Sequence, residues 1–386
     1  MSAIRVDIVE SESAFGTLCD AWNALEAAGR SVFMRHEWFA AAWCWRRLDA
    51  RLQVLVARRD GAVIGVLPLV VTADGTLELL TVPDTQAADM LCNDEDTAAV
   101  AGAFAAALTR DRRWRRARFE PVPPDGPCAR ALGPAFRRAG MAVASREAGR
   151  NYCIDLSTSW KAYYDARSRS LKKAQNLAAN RLARQGMIAV DRIGPDDAPT
   201  RVADALGHAI AISARSWKTE TGNSLDQPGP QAFIRALTDA ASANGWLEIW
   251  LLAINGEPSA MEYDIVFGGS VHALRADFVS DNVQTSPGAH LFRVELERLF
   301  ERGLSRYYMG RGDNPYKRRW TEDGEPVSRM TIYNATAAGR AAWLREEYAL
   351  PTLRRMRRLF KRADAARPAS TAVNDGARTS ARERED

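Results

Sequence analysis

Leu304 to Trp320 reads LSRYYMGRGDNPYKRRW, an aromatic strand that breaks at Gly310 into charged groups set among two glycines and a proline. Arg311, Asp313, Tyr316 and Lys317 place two cations, a carboxylate and a phenol within seven residues. That set is sufficient to grip an anionic group and to move a proton. Asp264 and Asp277 fall on apolar strands, where a carboxylate without a partner is costly, so each needs a partner or a task. The task expected of Asp277 is that of a general base taking a proton from an attacking amine.

Two further segments carry binding chemistry. Gln284-Thr-Ser-Pro-Gly-Ala289 opens a helix with proline and small residues, leaving backbone N–H groups and a positive dipole end that suit phosphate oxygens. Lys172, Asn176 and Arg181 recur every four or five residues along a helix, and no acid interrupts Ala166 to Val190. A row of cations beside a cleft steers an acidic substrate or a nucleic-acid backbone. Trp217 and Lys218, followed by Gly222 and Leu225, are placed to close over the same cleft.

Composition narrows the classes. The chain has 386 residues, 46% of them hydrophobic, enough for one or two packed cores. Its net charge of +5 is concentrated at 110–118, 167–184 and 354–362. No run approaches the roughly 18 to 20 apolar residues of a membrane-spanning helix, and Met1 to Glu10 mixes charge with strand-like alternation, so a soluble cytoplasmic protein is expected. The five cysteines, Cys19, Cys44, Cys92, Cys128 and Cys153, are dispersed and form no CxxC pair, which argues against a disulfide framework or a zinc site. Neither a GxSxG elbow, a Walker lysine loop, an HExxH helix nor a GxGxxG turn is present, and the four histidines are scattered. Metal hydrolysis, nucleotide hydrolysis and dinucleotide redox chemistry are therefore disfavoured.

The elements that must position these groups occur twice. Helical residues 14–48 precede two strands joined at Asp60-Gly61, then a strand at Leu77–Val82, a helix at Thr97–Arg110 and a strand at Ala117–Val122. Helical Gln231–Asn244 precedes a hairpin at Asn255-Gly256, a strand at Val271–Phe278, a helix at Ala289–Arg302 and a strand at Ser305–Met309. This repeat predicts an α+β protein of two related domains, 1–150 and 151–335, each a mainly antiparallel sheet flanked by helices. One long helix is expected from Trp160 to Gln185, ended by Gly186, and another from Thr200 to Trp217. A basic helix at 336–363 and a disordered tail at 364–386 complete the reading.

The pattern KKxxNxxxxRxxRxG at 172–186, SWKxxxG at 216–222, SPG at 286–288 and RGDNPYKRRW at 311–320 resemble GNAT-superfamily acetyltransferases of the cellulose-biosynthesis (CelD-like) type. These are similar to Fem-type peptidyltransferases, which carry two tandem GNAT folds. The most specific piece is G-D-x-x-Y-K-x-x-W, here Gly312, Asp313, Tyr316, Lys317 and Trp320.

The resemblance implies transfer of an acyl group from a thioester, usually acetyl-CoA, to an amine, with no metal and no covalent enzyme intermediate. The donor's pyrophosphate would rest on Ser286, Pro287, Gly288, Ala289 and His290. Tyr308 or Tyr316, phenols of pKa ~10, would protonate the departing thiolate, and Arg311 and Lys317 would hold a substrate carboxylate or phosphate. The loop departs from the usual Q/R-x-x-G-x-G/A by an added residue and by Pro287, which has no N–H to offer. Two other readings stand beside this one. Fem-type relatives use aminoacyl-tRNA as donor, and the basic helix from Arg167 would then touch RNA. A non-catalytic scaffold would dock on an anionic membrane or protein through the Arg354 to Arg362 helix.

Overall fold

The computed structural model describes residues 3–350 and 352–353. Its strands are β1 (Arg5–Val9), β2 (Ala50–Arg59), β3 (Ala62–Thr72), β4 (Leu77–Leu79), β5 (Leu91–Cys92), β6 (Arg116–Val122), β7 (Ala142–Asp155), β8 (Ile188–Ile193), β9 (Leu247–Ile254), β10 (Glu257–Phe267), β11 (Ser270–Phe278), β12 (Arg306–Arg311) and β13 (Gly324–Tyr333). The helices that matter below are α1 (His36–Arg46), α2 (Thr97–Arg110), α3 (Arg169–Ala183), α4 (Pro199–Ala214), α5 (Pro228–Ala243), α6 (Pro287–Phe300) and α7 (Pro315–Trp320).

Local chemistry sets the two hairpins. Asp60 and Gly61 have φ of 51° and 85°, and Asn255 and Gly256 have 53° and 86°. Both turns thus need positive φ at each central residue, which Asx-Gly supplies and which matches the twist of the flanking strands. β2 with β3, and β9 with β10, extend from these turns as antiparallel pairs. Each meander then ends in a parallel pair, β4 with β6 and β11 with β12, bridged by helices α2 and α6.

The two halves are joined edge to edge in one sheet of order β1-β2-β3-β4-β6-β13-β7-β12-β11-β10-β9-β8, with β5 attached to β3. The last strands are exchanged: β13, from the end of the second half, pairs with β6 of the first, while β7 pairs with β12. β7 and β13 also pair with each other. The expected boundary between residues 150 and 151 falls inside β7.

A shared aromatic core also binds the halves. Trp22, Phe33, Trp38 and Phe39 are buried with Phe233, Ile234 and Leu237 of α5 and with Met261 and Tyr263 of β10. Trp38 meets Phe233 edge-on with ring centroids 5.3 Å apart. α5 approaches Trp45 so closely that a Cβ on Gly229 would lie 2.3 Å from the indole Nε1.

Two helical expectations change. Residues 14–48 form short helices at Glu12–Gly16, Cys19–Asn23 and Glu26–Arg30 before α1. The long helix expected from Trp160 to Gln185 is two, Trp160–Asp165 and α3, because extended Ser168 caps α3 by accepting the Leu171 N–H at 3.2 Å. All five cysteines are free, three of them buried. Among the described residues no helix is long and apolar enough to cross a membrane. Residues 354–362 and 364–386, expected as a basic helix segment and a tail, lie outside the described residues.

Candidate active site

β11 and β12 are in register only at Ser270–His272 against Arg306–Tyr308, and then they part. Gly310, at φ 78°, turns β12 aside; a Cβ there would stand 3.4 Å from the Ala273 carbonyl oxygen and 3.7 Å from Lys317 Nζ. The parting strips Ala273 O of a strand partner, and Gln86 from the first half supplies one, its Nε2 donating at 2.8 Å. Gln86 Oε1 in turn accepts from Asn151 Nδ2 at 3.1 Å and faces His272 Nδ1 at 3.2 Å.

Buried charge gathers around this gap. Lys317, on α7, is 7% exposed, and its Nζ donates to Gly310 O at 2.8 Å and Arg311 O at 2.9 Å. Burial, assisted by the neighbouring Arg311 and Lys218 cations, pulls its pKa down to about 8. Lys218 Nζ pairs with Asp277 at 2.6 Å and donates to Ala276 O at 3.2 Å. Arg275 ties the halves together, donating to Asp84 at 2.6 Å and to Asn223 O at 2.8 Å.

A carboxyl cluster lies below. Met261 and Tyr263 of β10 join the aromatic core, so the alternating Glu262 and Asp264 face the other way, toward Glu295 of α6. Burial raises all three well above the carboxylate range, the raised pKa of Glu262 being opposed by Lys218. Tyr316, on α7, has its hydroxyl pushed above the usual phenol range by burial and then by Glu262 and Glu295.

The turn before α6 emerges from β11, and the Gly310 turn emerges from the parallel β12, so both open at the same end of the sheet. Ser286 is left-handed at φ 56° and makes no side-chain cap. The first bond of the helix runs from His290 N–H to Ser286 O at 3.2 Å, so the N–H groups of Gly288 and Ala289 precede it. A Cβ at Gly288 would lie 3.2 Å from Phe278 Cδ1, which keeps the turn tight against β11. Arg181 of α3 donates to Gln284 O at 2.9 Å, bringing a cation to this turn. His290 is lowered by burial and by Arg293.

Asp277, Tyr316, Lys317, Arg311 and Lys218 are thus drawn to one region, though with altered duties. The Asp277 carboxylate is held in its Lys218 pair and is not the free proton acceptor expected. Lys317 faces backbone carbonyls and Arg311 faces Glu120 at 3.3 Å, so neither is the free anion grip expected.

The remaining expected residues stand apart. Asp313 is exposed and bound by Arg318 Nε at 2.6 Å and Tyr152 OH at 3.1 Å. Tyr308 donates to Glu325 at 2.9 Å and stacks on His272, centroids 4.9 Å apart, in a different cavity. Trp320 is core, packed on Phe292 at 5.1 Å. Lys172 donates to Asp165 O at 2.8 Å, Asn176 is exposed on α3, and Trp217 is 55% exposed. Glu262, Glu295, Asp84 and Gln86 were not anticipated; two acids within the apolar run MEYDIVF were the visible signal for the first.

In the first half the corresponding gap between β4 and β6 is stitched shut by Ala88 N–H to Pro121 O at 2.7 Å and by Thr81 Oγ1 to Glu120 O at 3.3 Å. The open member is the second.

Paired meanders, a parted parallel pair and a helix that starts behind it frame the site. Residues 168–318, which span the site, match the family described as acetyltransferase (GNAT) domain, and by class the protein is an acyltransferase. No curated protein sequence matches the chain. Among solved structures, the C-terminal domain assigned to a lysylphosphatidylglycerol synthetase from Agrobacterium fabrum is similar at TM-score 0.54 and 14% identity, over 86% of this chain and 97% of that one. FemX is similar at TM-score 0.52 and 11% identity, over 88% and 100%. A conserved protein of unknown function from Bacteroides thetaiotaomicron is similar at 0.50 and 11%, over 86% and 100%. At such identities the likeness is one of fold.

Proposed function

We propose that the protein is a cytoplasmic acyl-CoA-dependent N-acyltransferase, most simply an acetyltransferase, built of two GNAT-like halves that exchange β7 and β13. Its acceptor is an amine on a small molecule, an amino sugar or a polysaccharide precursor. The donor's pyrophosphate rests on the Gly288 and Ala289 N–H groups beside Arg181, and its thioester reaches the gap between β11 and β12.

The observation that carries this reading is the environment of Lys317. A neutral amine has two N–H bonds and one lone pair; both N–H groups are spent on Gly310 O and Arg311 O, which leaves the lone pair to accept a proton. Lys317 takes the proton of the acceptor ammonium, the freed amine attacks the thioester carbonyl carbon, and the carbon–sulfur bond breaks as Tyr316 donates its proton to the sulfur. The new amide nitrogen gives up its surplus proton to restore the Tyr316 hydroxyl, and Lys317 releases its own proton to water.

The test is titration calorimetry of acetyl-CoA against the wild type and Ala289→Pro, which deletes one N–H at the first helical turn. Tenfold or greater weakening with an unchanged melting temperature supports the reading; no binding by the wild type, or equal binding by both, ends it. A second donor, aminoacyl-tRNA, is favoured by the exposed basic face of Arg169, Lys173, Arg181 and Arg184. It requires activity that RNase abolishes and binding that weakens steeply with salt.

A further inference from the structure

A second cavity lies on the seam between the halves, at the other end of the β11 and β12 pairing. Its volume is about 290 Å³. At ~30 Å³ per water this is room for roughly ten waters, hence a small molecule and not a peptide. Phe33, Met34 and Phe267 give it apolar walls, and Asp89, Asn151 and Gln86 bring polar groups to it.

Two of those groups are buried without satisfaction. Asp89 is 3% exposed and Asn151 is 5% exposed. Asp89 Oδ1 accepts the N–H of Met90 at 2.8 Å and of Cys128 at 2.6 Å, but Oδ2 has no partner. Asn151 Nδ2 donates to Gln86, but its Oδ1 has no partner. A Cβ on Gly126 would fall 1.8 Å from Asp89 Oδ2, so glycine at 126 reserves the place of that oxygen. Buried acceptors left unpaired cost free energy that a donor from a ligand recovers. Both orphans are acceptors, and one belongs to a carboxyl group, so the complementary ligand carries N–H or ammonium groups.

The cavity is also one side chain away from the reaction centre. Gln86 lines it, and the Nε2 of the same side chain reaches Ala273 O and comes within 3.8 Å of the point where a Gly310 Cβ would stand, itself 3.7 Å from Lys317 Nζ. Asn151 and Gln86 therefore stand between the cavity and the Gly310 turn, whose carbonyl oxygen Lys317 Nζ binds at 2.8 Å.

We infer that this cavity is the acceptor pocket. Its substrate is a compact amine with an apolar body and a second N–H or O–H donor, such as a diamine, an amino alcohol or an amino sugar; Asp89 and Asn151 hold one end, and the reactive amine reaches Lys317 past Gln86. An acceptor carrying phosphate fits poorly, because Asp89 and Glu325 would face it and the one lining arginine, Arg30, is already paired with Asp94 at 2.8 Å. The assignment rests on the acyltransferase reading above.

Calorimetry without any acyl donor tests the pocket separately. 1,4-Diaminobutane, ethanolamine and glucosamine are titrated into the wild type, Asp89→Asn and Gly126→Ala, with phosphoethanolamine as the anionic control. The expected result is binding of at least one amine, tenfold or more weaker in both variants, with acetyl-CoA affinity unchanged. Equal amine binding by the variants, or preference for the anionic control, overturns the inference. Should a variant fail to fold, soaking 4-bromobenzylamine into wild-type crystals decides: a bromine anomalous peak in the cavity supports the assignment, and its absence there refutes it. Failure of the pocket leaves acetyl-CoA binding intact, whereas failure of the donor reading leaves amine binding intact, so the two are distinguishable.

Discussion

The pH dependence of catalysis gives the sharpest test of Lys317. Its pKa falls from 10.5 to about 8 in the folded protein, and at ~1.4 kcal/mol for each tenfold this is about 3 kcal/mol against the ammonium form. Because the side chain is 7% exposed, little of that is lost to solvent screening. At pH 7 about one Lys317 in ten is neutral, at pH 8 about half. If neutral Lys317 is the base, kcat/KM rises about tenfold from pH 6 to 7, bends near 8 and falls again only where the acceptor ammonium itself loses its proton. Continuous thiol-release assays between pH 6 and 9.5 read this limb directly. Lys317→Met should lower kcat by about 10² to 10⁴-fold, the range of a lost general base.

Stability moves in the opposite sense. The folded value lies below the unfolded one, so the penalty is full below pH 8 and fades as pH rises toward 10.5. Lys317→Met should therefore keep or raise the melting temperature at pH 7 while activity collapses. A rate that does not change between pH 6 and 8, or a Lys317→Arg variant that retains activity although its guanidinium is always charged, would refute the reasoning.

Three other outcomes follow from the same geometry. Tyr316→Phe should lower kcat by 10-fold or more with little change in acetyl-CoA affinity, measured by steady-state kinetics and calorimetry, since the phenol acts only as sulfur departs. Asp89, raised by burial from 3.8 to about 6, contributes about 3 kcal/mol that is full below pH 4 and lost as pH rises through 6; Asp89→Asn should flatten that part of a urea-denaturation series against pH. Gly229→Ala should destabilise the protein by about 1 to 3 kcal/mol in the same assay, because the added methyl meets Trp45 at 2.3 Å from its indole nitrogen.

Features that depend on neighbours in the chain were legible from residue types alone. Asp60-Gly61 and Asn255-Gly256 dictate tight hairpins, Ser-Pro-Gly marks the start of α6, and the YK pair after Gly310 announces a polar site. Those are preferences of backbone angle, capping and solvation, settled within a few residues. The exchange of β7 and β13 between the halves was not legible, because strand pairing over such separations is chosen by burial of whole faces and not by local propensity. The same holds for the site. Glu262 and Gln86 become functional candidates only when folding brings a carboxyl under Tyr316 and an amide into the gap at Ala273, and Asp277 changes from base to ion-pair partner because Lys218, distant in the chain, is folded onto it at 2.6 Å. Low polarity in the interior is what turns such proximities into shifted proton affinities, and only the tertiary structure creates that interior.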